Sequence, residues 1–113
     1  MSSADSAGIG LDEARKLLSS GSAVLVDVRE QYEWDAGHAA EAVHMPIGEL
    51  DAAALPPDTE LIITCRSGGR GTRATAVLIE AGLPARNLTG GMRGWRDAGL
   101  PLESTEGSPG TID

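Results

Sequence analysis

Two short apolar runs constrain this chain more than any other feature. They are Ala23 to Val28 (AVLVDV) and Leu61 to Thr64 (LIIT). Nearly unbroken apolar runs are expected of strands covered on both faces. Helical patterns follow and precede them. Leu11, Ala14, Leu17 and Leu18 fall on one face of a helix over 11–18 that Gly21 ends. The spacing predicts a second long helix over 69–81, with Ala74, Val77, Leu78 and Ala81 inward and Gly82 closing it. Shorter helices are expected over 30–36, 48–54 and 91–98, and shorter strands over 42–45 and 87–89. Strands alternating with helices argue for an α/β domain with a mainly parallel sheet.

A chain of 113 residues is one domain's worth. Residues 1–8 and 103–113 are polar, small or rich in Gly and Pro, and are expected to be flexible ends. This leaves one domain over 9–102. No apolar run reaches about 18 residues, so no membrane span is expected. The first ten residues show neither a basic nor an apolar leader region, so no secretory signal is expected. One cysteine excludes an internal disulfide, a CxxC redox pair and a cysteine-rich zinc site. Two histidines and that cysteine, far apart in sequence, make a poor metal-ligand set, and no metal is expected. A reducing cytoplasmic setting is the default expectation.

Charge narrows the partners. The formal net charge is −8, so nucleic acid is not expected as a partner. Residues 1–60 carry 3 basic and 12 acidic side chains, whereas 61–100 carry 6 basic and 2 acidic. A cationic segment inside an acidic chain suits a small anion.

Within that segment, Cys65 follows LIIT directly, where ligands sit in open parallel sheets. It heads the stretch Arg66-Ser67-Gly68-Gly69-Arg70-Gly71, and a helix comes next. The glycines let the backbone adopt conformations that bring N–H groups together, and a helix N-terminus adds partial positive charge. Cys65 is therefore expected to be a thiolate at neutral pH. Arg66, Arg70 and Arg73 crowd the start of the helix, against a dipole preference worth about 0.3–1 kcal/mol per charge. Local rules broken together mark functional sites. Asp27 and Arg29, at the carboxyl end of the first long strand, are supporting candidates, read first as an ion pair or loop brace. His38 is expected to make a structural hydrogen bond, His44 to pack or lie at the surface, and Trp95 to anchor the core. A nucleotide P-loop is excluded, because no lysine follows these glycines. Pairing of Cys65 with His38 or His44, as in a Cys–His protease, stays open.

These residues resemble the rhodanese family, specifically its single-domain thiosulfate sulfurtransferases. Asp27-Val28-Arg29 is similar to the family's DVR element. Gly37-His38 with Ala42-Val43-His44-Met45-Pro46 is similar to its GHIPGAxNIP stretch, and Cys65 to Arg70 to its CRSGxR loop. Gly90 to Trp95 with Ala98-Gly99-Leu100-Pro101 is similar to its GGxxxW…AGLP element. Ala39, Ala40 and Glu41 depart from the pattern. So do His44, where Asn is common, and Gly71, where Ser often follows. The resemblance implies a mainly parallel five-stranded sheet with helices on both faces. It implies that Cys65 takes the outer sulfur of thiosulfate or a persulfide donor and holds it as a persulfide, with no cofactor. Arg66, Ser67, Gly68, Gly69, Arg70 and Gly71 would bind the anionic donor, with Arg73 a peripheral charge. A thiol, cyanide or protein acceptor would then collect the sulfur; with no second cysteine, it must come from outside. The alternative is a persulfide carrier or docking module with little thiosulfate turnover. Phosphatases and arsenate reductases of this fold carry a C-x5-R loop, and the C-x4-R spacing from Cys65 to Arg70 disfavours them.

Overall fold

The two apolar runs lie side by side at the centre of a parallel sheet. The computed structural model describes residues 7–113; of the ends expected to be flexible, 1–6 lie outside the described residues. The strands are β1 (Gly8–Ile9), β2 (Ala23–Asp27), β3 (Val43–His44), β4 (Glu60–Thr64) and β5 (Ala85–Leu88). Their order across the sheet is β1-β5-β4-β2-β3, and every pairing is parallel. The helices are α1 (Leu11–Ser19), α2 (Gln31–Ala36), α3 (Gly69–Glu80) and α4 (Gly91–Asp97). No helix among the described residues is long and apolar enough to cross a membrane.

Strand periodicity divides the core in two. Ala23, Leu25, Ile62 and Leu88 point to one face, where Ala14 of α1 and Met92 and Trp95 of α4 cover them. Val26, Leu61, Ile63 and Ala85 point to the other, under Ala74 and Leu78 of α3. Continuous apolar runs are thus required, because both faces of β2 and β4 are covered. Trp95 is buried, and its indole N–H donates to the Pro101 carbonyl at 3.0 Å. Between β2 and β4 the strand order reverses direction, which opens a crevice at their carboxyl ends.

Four expectations need correction. The helix expected over 48–54 is two separate 3-10 turns, Ile47–Glu49 and Ala52–Ala54. Leu50 and Asp51 between them are extended, and the Asp51 carboxylate caps the second turn by accepting from the Ala53 N–H at 3.1 Å. Seven residues with a cap in the middle do not repay helix nucleation. The inner face of α3 is Gly71, Ala74, Thr75 and Leu78, while Val77 is 56% exposed and Ala81 is exposed. Two neighbouring stripes share Ala74 and Leu78, and the helix presents the one whose small members allow close approach. A fifth strand, β1, begins at Gly8 within the stretch expected to be loose; the Ala7 carbonyl accepts from the Asn87 N–H at 2.7 Å. Finally, residues 103–113 do not hang free. Glu103 pairs with His38 and Pro109 in isolated bridges, and Ile112 is buried in the α1/α4 core cluster. Arg96 and Arg93 donate to the Ile112 and Asp113 carbonyls at 2.7 and 2.8 Å. A polar composition hid one anchoring isoleucine and a set of backbone bonds.

Candidate active site

Cys65 ends β4 at the crevice and is 1% exposed, with its side chain in the apolar cluster beneath α3. Its sulfur still meets a polar partner: the Gly68 N–H donates to Sγ at 3.0 Å. Gly68 is the N-cap of α3 with φ +129°, a backbone conformation side-chain-bearing residues resist. That turn folds the chain back so that residue 68 faces residue 65. The sequence led to an expectation of several converging amides; among the described residues, one backbone N–H is hydrogen-bonded to the sulfur.

The carbonyls of the loop are tied down from behind. The first turn of α4 brings the Met92 N–H to the Cys65 carbonyl at 2.8 Å and the Arg93 N–H to the Arg66 carbonyl at 3.0 Å. Gly91, with φ +56°, makes this approach possible: a Cβ there would lie 2.5 Å from the Cys65 carbonyl oxygen and 2.7 Å from that of Arg66. Helix N-terminal donors otherwise left without partners are thus spent on holding the cysteine loop.

A ladder of charge connects β2 to α3. Asp27 and Arg29 form a buried, two-pronged pair, Nε to Oδ1 at 2.9 Å and Nη2 to Oδ2 at 2.7 Å. The same guanidinium donates to the Gly37 carbonyl at 2.7 Å and the Glu33 carbonyl at 3.3 Å. These partners hold α2 against the end of β2, so Asp27 and Arg29 form a brace. On α2, Glu33 takes both prongs of Arg70, at 2.6 and 2.9 Å. Hydrogen bonding to Arg70 holds the Glu33 carboxyl at about 2, and the same bond raises Arg70. Glu33 also closes a capping box with Glu30 at the start of α2.

The remaining loop residues face outward. Arg66, Ser67, Gly69 and Arg73 are exposed. Among the described residues neither the Arg66 nor the Arg73 guanidinium forms a salt bridge. Arg66 lines a cleft of about 50 Å³ together with Tyr32, Glu33 and the chain at Thr111 to Asp113. Neither histidine is placed against the sulfur by a hydrogen bond. His38 Nδ1 bonds the Trp34 carbonyl at 2.6 Å, and His44 Nε2 the Arg29 carbonyl at 2.9 Å. Trp34 is stacked between the two imidazoles, at 3.8 and 4.6 Å between ring centroids. Sequence reading missed Glu33 as the partner of Arg70, the packed end at 111–113, and the buried Asn87. Only the last left a sequence signal, an amide in the short strand expected over 87–89.

A lone cysteine on a glycine-bent loop, between a central parallel strand and a helix N-terminus, defines a class of domain. A model of the family described as rhodanese-like domain matches residues 10–98, and the chain belongs to that family. It is 36% identical over 104 residues to the human thiosulfate:glutathione sulfurtransferase, with 77% of this chain and 90% of that protein covered. The human single-domain sulfurtransferase TSTD1 superposes with a TM-score of 0.73 at 32% identity, over 80% of this chain and 96% of that one. The chain is also 39% identical over 94 residues to the HTH-type transcriptional regulator Rv0324 of Mycobacterium tuberculosis. There it matches 80% of its own length but spans only 41% of the relative.

Proposed function

We propose that this chain is a sulfurtransferase that moves a sulfane sulfur through a persulfide on Cys65. The Cys65 thiolate attacks the outer sulfur of thiosulfate or a persulfide donor. A bond forms between the two sulfurs, the donor's sulfur–sulfur bond breaks, and its electron pair leaves with sulfite or the donor thiolate. An acceptor thiolate or cyanide then attacks the outer sulfur and regenerates the cysteine. The thiolate is the attacking species at each start of the cycle. No cofactor takes part, since the cysteine itself carries the sulfur.

The observation that carries this reading is the Gly68 N–H on the Cys65 sulfur, at the N-terminal end of α3. A donor aimed at sulfur stabilises negative charge there, as it does in an oxyanion hole. Arg66, within the loop, has a guanidinium that forms no salt bridge among the described residues and suits the paired oxygens of a sulfonate-like group. Arg70 is committed to Glu33, so its charge contributes from a distance. Arg73 lies farther along the helix as a peripheral charge. The similarity to a human thiosulfate:glutathione sulfurtransferase supports thiosulfate as donor and a small thiol as acceptor.

Intact-mass measurement after thiosulfate treatment tests the proposal. Wild type is expected to gain one sulfur atom and Cys65→Ser none, with thiocyanate release from thiosulfate and cyanide lost in the same variant. Retained thiocyanate release in Cys65→Ser overturns it. Slow release combined with fast protein-to-protein sulfur transfer would make the chain a persulfide carrier instead.

A further inference from the structure

We propose that Asn87 is a positioning residue for the reacting sulfur: its side-chain amide, acting through the Thr72 hydroxyl, fixes Gly68 so that the Gly68 N–H stays on Cys65 Sγ. The proposal rests on Cys65 being the group that reacts.

Asn87 lies on β5 and is 9% exposed, a buried amide in the strand next to β4. Its Nδ2 donates to Thr72 Oγ1 at 3.2 Å. Thr72 in turn donates its hydroxyl hydrogen to the Gly68 carbonyl at 2.8 Å, and its backbone N–H reaches the same oxygen at 2.9 Å. The N–H of Gly68 is the donor to the Cys65 sulfur. Both polar groups of this one residue are therefore held, the carbonyl by Thr72 and the N–H by sulfur. Gly68 has no side chain to lock its unusual backbone, and no side chain caps α3 at that position. The hydroxyl adds a second bond to that of the Thr72 backbone N–H in restraining it, and Asn87 orients the hydroxyl.

Hydrogen-bond bookkeeping fixes the direction of the chain. A threonine hydroxyl has one hydrogen. Thr72 spends it on Gly68, so toward Asn87 it can only accept, and the Asn87 amide must present nitrogen there. Its oxygen is then turned the other way. That oxygen, Oδ1, is buried and has no hydrogen-bond partner among the described residues. It occupies the space over Gly71, where a Cβ would overlap Oδ1 and would lie 3.5 Å from Cys65 Sγ. Gly71 thus makes room for the amide beside the sulfur, at the position where the resembling loops often carry serine. A buried acceptor without a donor is costly, whereas an apolar residue of the same shape is not. Packing alone favours leucine at 87; the amide is accounted for by the bond it makes to Thr72.

The charged groups nearest in the ladder are Arg70 on α3, which interacts with Cys65, its partner Glu33 on α2, and Arg66 next to Cys65 in the loop. From α4 the contacts to the loop are backbone N–H groups. None of these groups is altered by changes at 72 or 87. Since the chain has one cysteine, alkylation by iodoacetamide reports on Cys65 alone.

The test is the pH profile of that alkylation in the full chain, for wild type and for N87L, T72V and T72S. N87L and T72V are expected to raise the midpoint by about 0.5–1 pH unit, because a donor held on the thiolate favours it. T72S keeps the hydroxyl and is expected to keep the wild-type midpoint. N87L is expected to melt no lower than wild type, since it removes the orphaned oxygen. A folded N87L with an unchanged or lowered midpoint overturns the proposal. Should N87L fail to fold, T72V against T72S decides by the same criterion. Failure of wild type to take up sulfur by mass would instead overturn the proposed function, and the alkylation midpoints would still be read.

Discussion

Glu33 and Arg70, 37 positions apart in sequence, share a two-pronged ion pair of 2.6 and 2.9 Å that joins α2 to the first turn of α3. The pair resolves a conflict visible in the sequence. Arginines at a helix N-terminus oppose the dipole. A carboxylate brought from another element supplies the missing negative charge.

Glu33→Gln is expected to cost about 1.5–3 kcal/mol at pH 7, the range for a hydrogen bond to a charged group. The folded carboxyl sits at about 2, below its ordinary value of 4.5. Its stabilisation is therefore full above 4.5 and disappears as the pH falls from there toward 2. Denaturant unfolding of wild type and variant should give curves that converge across that interval. A constant difference from pH 7 to pH 2 would contradict the assignment.

Arg66→Ala is expected to raise KM for thiosulfate about 10- to 100-fold, the loss of one charge-assisted contact. Its stability should change little, because the side chain is exposed and forms no salt bridge among the described residues. Steady-state kinetics with thiosulfate and cyanide measures this, and Arg66→Lys should fall between the two.

Gly91→Ala places a methyl group against two loop carbonyls at a positive φ. A destabilisation of at least about 2 kcal/mol is expected. Activity should fall in the fraction that remains folded, because the cysteine loop is hung from this helix. Thermal melting and single-turnover sulfur loading check the two parts separately.

Ile112→Ala is expected to destabilise by about 2 kcal/mol, the low end for a buried aliphatic truncation. Hydrogen exchange at the His38 and Glu103 amides, which bond each other's carbonyls at 2.9 Å, should quicken with it. No change in either would mean that the segment after residue 102 contributes nothing to the fold.

The two central strands were legible because their evidence is local. AVLVDV and LIIT are nearly unbroken apolar runs where both faces are covered, and the cysteine loop carries its glycines and arginines in one stretch. What was not legible depends on distant partners. Nothing near Arg70 announces Glu33, and the end of the chain shows no periodicity to betray Ile112. On α3, helical spacing allowed Val77 as an inner residue, and only the neighbouring strands decide for Thr75. Asn87 carried a signal, a polar residue in a buried strand, but its meaning needs Thr72 and Gly68 in place.

The anchoring of Ile112 beside the Arg66 cleft has a practical consequence. A polypeptide continued past Asp113, whether an affinity tag or a fused domain, would emerge at the rim of the cleft that Arg66 lines. Fusions that extend the chain there are expected to change access to this cleft more than fusions joined ahead of β1, which is the edge strand beside β5.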